Sequence, residues 1–234
     1  MKMTPPAEST AVMETRLAHE VHRAAGTLLA EAALSPSVPL GALAHLRDFL
    51  VVNLRHHHES EDDDLWPRIV ATAPAVAHEL QSLSEEHERL DAALDQLAAV
   101  ALNGGGTDGD SSGTARPRTD HDGASDATVR TALHAAAVTV RDTVHDHLAH
   151  EEPVLFPALR DHVTPAQWAD FSQRVIATTP PVAGHLMVGF LDEVGTPAEV
   201  ELVLSGLPEP VRLLVPAMRL QAAADLGVLR GAGA

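Results

Sequence analysis

The chain of 234 residues has no cysteine and no tyrosine, and aromatic residues make up only 3% of it. Without cysteine there are no disulfide scaffolds, zinc fingers, iron–sulfur clusters or thiol catalysis. Basic residues are also scarce: 16 Lys and Arg stand against 33 Asp and Glu, a formal charge of -17. Such a surface repels nucleic acid and anionic membranes, and no basic patch offsets it. No apolar run reaches the 18 or so residues of a membrane span. The opening MKMTPPAEST has no apolar signal core, so a soluble, cytoplasmic protein is expected.

What the chain does hold is 45% hydrophobic residues, mostly Ala, Leu and Val, and 15 His. The bias toward strong helix formers, without alternating β-branched runs, predicts an all-α protein. Helices are expected over 10–34, 40–64, 75–101 and 128–160. Ser35-Pro36-Ser37, Pro67 and Asn103-Gly104-Gly105-Gly106 serve as stops. Residues 103–127 carry almost no apolar side chains and read as a flexible linker. The expected architecture is an up-down-up-down four-helix bundle over 10–160, followed by a helical C-terminal extension over 161–234. Thr164-Pro165-Ala166-Gln167 and Thr196-Pro197-Ala198-Glu199 mark two helix starts in that extension. A last helix is expected near 209–227, kinked at Pro216.

The positions of the histidines carry the argument. The segment HHHESEDDDLWPRI begins at His56 and HLAHEEPVLFPAL begins at His147. Aligning His57 with His147 also aligns Glu61 with Glu151, Leu65 with Leu155, Trp66 with Phe156 and Pro67 with Pro157. His22 precedes His57 by the interval that separates His87 from His147 once the linker is removed. The chain thus reads as two helical hairpins, each with one His on its first helix and His-x-x-x-Glu on its second. Residues four apart on a helix point the same way, so each His–Glu pair converges on one point.

Four His and two Glu suit a pair of first-row metal ions, with terminal imidazoles and bridging carboxylates. Iron is favoured over a structural zinc, which prefers one closed four-ligand site; manganese or zinc occupancy stays open. The candidate ligands are His22, His57, Glu61, His87, His147 and Glu151. His19 rivals His22 one turn earlier, but the repeat aligns His19 with Ser84. His58 also precedes Glu61, yet its counterpart is Leu148, which cannot ligate. Asp62, Asp63 and Asp64 are assigned to solvent, and Trp66 and Phe156 to plugs at the bundle end. His78 falls on the opposite face of its helix, and His45, His134, His145 and His150 read as surface or outer groups. Glu59 and Glu152 are read in the same way.

The pattern from His57 through Glu61 to Leu65-Trp66-Pro67, with its second copy from His147, resembles the hemerythrin-like, HHE cation-binding domain over about residues 10–160. The resemblance implies the hemerythrin bundle and a non-heme di-iron centre with an oxo or hydroxo bridge. Oxygen-carrying members have two His four residues apart on the third helix, giving five in all. Here Leu83 and Asp91 stand four residues either side of His87, and Asp91 is a possible extra ligand. Four His would leave an open position on both ions, as in relatives linked to nitric oxide handling and cluster repair. Those relatives add a cysteine-bearing domain that this chain lacks.

Three functions follow as expectations. The first is an enzyme or sensor acting on O2, NO or peroxide. The second is a carrier without turnover, which a fifth His would favour. The third is a regulatory module whose C-terminal helices bind a protein partner.

Overall fold

The computed structural model describes residues 9–102 and 120–232, with the side chains of 120–125 excepted. Helix α1 (Thr10–Ala33) starts at Ser9, whose side chain accepts a hydrogen bond from the Val12 N–H. Helices α2 (Leu40–Ser60), α4 (Ala77–Ala98) and α5 (Asp120–His162) complete a four-helix bundle. Among the described residues the structure is helical throughout, without strands. Helix α1 packs on α2 and α5, and α4 packs on the same two neighbours, so chain order is also spatial order around the bundle. Each helix turns an apolar stripe inward: Leu17, Val21 and Leu29 from α1 meet Leu43, Leu46 and Leu50 from α2, all fully buried. Among the described residues no helix is long and apolar enough to cross a membrane.

The chain does not stop at Pro67 as expected. It passes from α2 through a π-helical turn, Glu61–Leu65, into the short α3 (Trp66–Thr72). The Trp66 N–H reaches back five residues to the Glu61 carbonyl. This wider turn resets the register, so Pro67 stands in the first turn of α3, where a missing N–H costs nothing. A single 3₁₀ turn, Pro74–Val76, then leads into α4.

Two other expectations are corrected. Of the linker assigned to 103–127, residues 103–119 lie outside the described residues, but 120–127 already belong to α5. Low apolar content there does not prevent helix. Near the C-terminus, α9 (Glu209–Arg212) and α10 (Val215–Leu229) replace one kinked helix. Pro216 cannot donate to a carbonyl four residues back, so it opens α10 rather than bending through it.

Between them lie α6 (Pro165–Thr178), α7 (Gly184–Val194) and α8 (Pro197–Ser205). Both α6 and α8 begin with the expected capping boxes, at Thr164 and Thr196. Helix α7 rests on α1, α2 and α10, and its Phe190 stacks on Phe49 of α2 at 5.8 Å. It meets α10 closely at Gly189, where an added Cβ would come within 2.7 Å of the Ala222 Cβ.

The apolar core forms two clusters along the bundle axis. One contains Leu50, Leu54, Leu90, Val144 and Leu148. The other contains Leu65, Ile69, Leu80, Leu83, Leu155 and Leu159. The polar segments of α2, α4 and α5 that separate them in sequence form the layer described next.

Candidate metal centre

The layer between the two apolar clusters holds His19, His22, His58, Glu61, His87, His147 and Glu151, each at most 2% exposed. The side chain of His57 is 15% exposed. All six residues singled out in the sequence lie here: α1 supplies His22, α2 and its π-turn His57 and Glu61, α4 His87, and α5 His147 and Glu151.

The side chains gather into two groups. His58, His87 and His147 offer ligand atoms within 4.8 Å of one another, and so do His19, His57 and Glu61. Each carboxylate addresses both groups. Glu61 Oε1 lies 3.4 Å from His57 Nε2, and its Oε2 lies 3.7 Å from His87 Nε2. Glu151 Oε1 lies 3.7 Å from His19 Nε2, and its Oε2 lies 3.1 Å from His147 Nε2.

Two residues enter these groups that the sequence reading set aside. His58 stacks on His87 with ring centroids 4.2 Å apart. The repeat argued against it through Leu148, but the two hairpins are not strictly equivalent: the α2 side projects two adjacent imidazoles where the α5 side projects one. His19 stands where the repeat preferred His22. His22 remains adjacent, its ring 4.9 Å from that of His57, with Nδ1 unpartnered. Asp91 belongs to neither group, and burial raises its pKa.

Outer carboxylates orient the rings. The second ring nitrogens of His87, His147 and His19 lie 2.8, 3.1 and 3.1 Å from Asp62, Glu86 and Glu152. A carboxylate on Nδ1 fixes the tautomer and leaves Nε2 as the inward lone pair, the arrangement that metal-bound histidines use. Asp62, expected in solvent with Asp63 and Asp64, is therefore part of the site and also accepts from the Ser84 hydroxyl. Aromatics of the repeat lie over the histidines. Trp66 stacks over His87 at 6.3 Å and Phe156 over His19 at 5.9 Å.

The electrostatics show what the layer lacks. Burial pushes His22 down to about 3, and His57 and His58 well below the usual imidazole range, so all three are neutral bases. Burial, reinforced by Glu151, drives the Glu61 carboxyl well above its ordinary range. Burial also acts on Glu151, but His19 and His147 outweigh it and hold that carboxyl low. Glu152 is held at about 2 because its bonds to His19 and Arg23 overcome its burial.

Buried ligand atoms without a hydrogen-bond partner include His19 Nε2, His57 Nε2, both His58 nitrogens, Glu61 Oε2 and both Glu151 oxygens. Orphaned polar atoms, most of them acceptors, are costly in a desolvated layer, and cations held between the acceptors would remove much of that cost. The residues present therefore fit a metal pair: nitrogen and oxygen donors, no sulfur, and two carboxylates shared between two groups.

Comparison with known proteins agrees with this chemistry. Residues 13–116 match the family model described as the Hemerythrin HHE cation binding domain. The match takes in α1 through α4 and the first His-x-x-x-Glu copy; the second copy follows it on α5. No curated protein and no solved structure matches the chain. The family match and the buried histidine–carboxylate layer point the same way: residues 13–116 are similar to the hemerythrin HHE cation-binding domain.

Proposed function

We propose that the chain is a cytoplasmic non-heme di-iron protein that binds, and reacts with, a small ligand of the O2, NO or hydrogen peroxide class. The observation that supports this is the placing of Glu61 and Glu151, each with one oxygen toward each histidine group. In this reading His58, His87 and His147 would hold one ion, His19 and His57 would hold the other, and Glu61 and Glu151 would serve both. Bound iron would supply Lewis-acid and redox chemistry toward such a ligand. The protein's own residues hold the donors rigid through Asp62, Glu86 and Glu152, and keep bulk water out with Trp66, Phe156 and the two apolar clusters. Glu61, whose carboxyl burial and Glu151 push well above its ordinary range, would bind a cation as the carboxylate.

A second reading is a carrier or sensor without turnover. It is favoured by His58, which brings the imidazoles in the two groups to five. That distribution is unequal, three imidazoles against two, so the His19–His57 group would leave more room for a small ligand.

The test is metal analysis and absorption spectroscopy of protein from iron-supplemented cells, followed by addition of each ligand. Two irons per chain with near-ultraviolet bands that change with O2, NO or peroxide support the proposal. A single zinc, or spectra indifferent to all three, would overturn it. Sustained consumption of peroxide with an external reductant separates turnover from reversible binding.

A further inference from the structure

The C-terminal helices enclose space as well as covering the bundle. Between α6–α10 and the faces of α1 and α2 lies a cavity of ≈ 650 Å³. Its inner wall is the edge of the metal centre, formed by His22, His57 and Glu61. Its body is lined by side chains such as Leu17, Ile176, Met187, Val188, Leu191 and Leu204, and exposed lining residues, Leu214 and Gln221 among them, show that it reaches solvent.

The size exceeds what the metal ligands discussed above require. A water-sized molecule takes about 30 Å³, whereas cavities of roughly 300–1,000 Å³ hold organic molecules. Filling this space with water would leave most of that water without partners, because the wall is apolar.

The polar groups on the wall are largely engaged with the protein itself. Glu14 Oε2 accepts from the Trp168 indole at 2.7 Å and from Ser172 at 3.3 Å. His56 pairs with Thr178 and His185 with Asp225. The Asn53 amide donates to the Phe49 carbonyl. Unpartnered atoms remain at the inner end, where His22 Nδ1 and Glu61 Oε2 are buried. Among the described residues no Lys or Arg lines the cavity. Burial raises the Glu14 carboxyl despite its two bonds, so this wall already resists an anion of its own.

We propose that this cavity is a binding site for an uncharged, largely hydrocarbon molecule with one oxygen-bearing end, such as a long-chain alcohol or aldehyde. The chain of the ligand lies among the apolar side chains of α6–α10, and its polar end lies against the His57–Glu61 edge. The orientation of that end rests on the di-iron reading; the apolar site itself does not.

The experiment uses the full chain, both chelator-treated and iron-loaded, with the neutral fluorophore N-phenyl-1-naphthylamine as probe. Saturable one-to-one binding is expected in both forms, with displacement by 1-dodecanol and little by dodecanoate. Ile176→Trp and Met187→Trp, which fill the cavity, should weaken binding on the order of ten-fold. Leu213→Ser, on the outer surface, should leave it unchanged. If a tryptophan variant fails to fold, Met187→Gln, which keeps the side-chain length, takes its place.

Absence of saturable binding, survival of binding in the cavity variants, or its loss in Leu213→Ser overturns the site. Equal displacement by dodecanoate overturns the uncharged class. In iron-loaded protein, 1-dodecanol should shift the near-ultraviolet absorption, and an unshifted spectrum overturns the orientation. Probe binding by a chain that takes up no iron would refute the di-iron reading and leave the apolar site standing.

Discussion

His57 and His58 are neighbours in the chain, yet their imidazoles belong to different groups, with ring centroids 5.8 Å apart and planes at 50°. One step along an α-helix turns about 100°. Adjacent histidines therefore straddle the direction taken by Glu61 on the next turn. His57 faces α1, beside His22, while His58 stacks on His87 of α4.

His57→Leu and His58→Leu should each cost the chain one ion, and the double variant both. Metal analysis of purified protein decides this; two irons retained in His58→Leu would return that residue to a packing role.

His19 and His22 differ in support. His19 has an outer carboxylate at 3.1 Å and Glu151 at 3.7 Å, whereas Nδ1 of His22 has no partner. His19→Leu should lower iron content as His57→Leu does, and His22→Leu should keep both ions. The opposite result would reinstate the residue that the repeat aligns with His87.

The outer carboxylates should matter nearly as much as the ligands. Asp62→Asn, Glu86→Gln and Glu152→Gln are each expected to weaken metal affinity by roughly 10–100-fold. Asp63→Asn is exposed and should change nothing. Competition with a chelator gives the ratio directly, and equal affinity across all four variants would contradict the orienting role.

Metal-free protein should be acid-sensitive in a defined window. His22, His57 and His58 have folded-state pKa values below the usual 6.5, mainly through burial. The unfolded chain binds more protons as pH falls through 6.5, so stability present above that pH is lost below it. Each such histidine contributes up to about 1.4 kcal/mol per pH unit. Glu61, through burial, and His147, through Glu151 and Glu86, have raised pKa values and act in the opposite sense, but within the layer they are two groups against three. Melting temperatures of chelator-treated protein between neutral pH and the mildly acidic range should fall, and His22→Leu should flatten the slope. A flat profile in the unmodified protein would count against a neutral imidazole cluster.

Gly189→Val tests the α7–α10 contact. With an added Cβ 2.7 Å from the Ala222 Cβ and 3.0 Å from Leu226, the helices must separate, at a cost of about 1–3 kcal/mol. A melting temperature equal to that of the unmodified chain would show that the helices yield without loss.

Much of the site is legible in the sequence. The spacing His57–Glu61 and its recurrence at His147–Glu151, each followed by Leu, an aromatic residue and Pro, pointed to a bundle with a cation-binding layer. His58 escaped that reading because the repeat was used as a symmetry rule, and its counterpart, Leu148, is a core residue. Asp62 escaped because a run of three aspartates looks like a solvated face. Only its approach to His87, 25 residues away, distinguishes it from Asp63.

The sequence by itself determined the helices, the order of the bundle and the kind of donor atoms available, since these follow from periodicity and from residues a turn apart on one helix. The tertiary structure decided which histidines share a group, which carboxylates orient them and what lies beside them. Those relations join α1, α2, α4 and α5, and in the cavity α6–α10 as well. Distances between helices depend on packing and on the π-turn at Glu61–Leu65, which no spacing along one helix encodes.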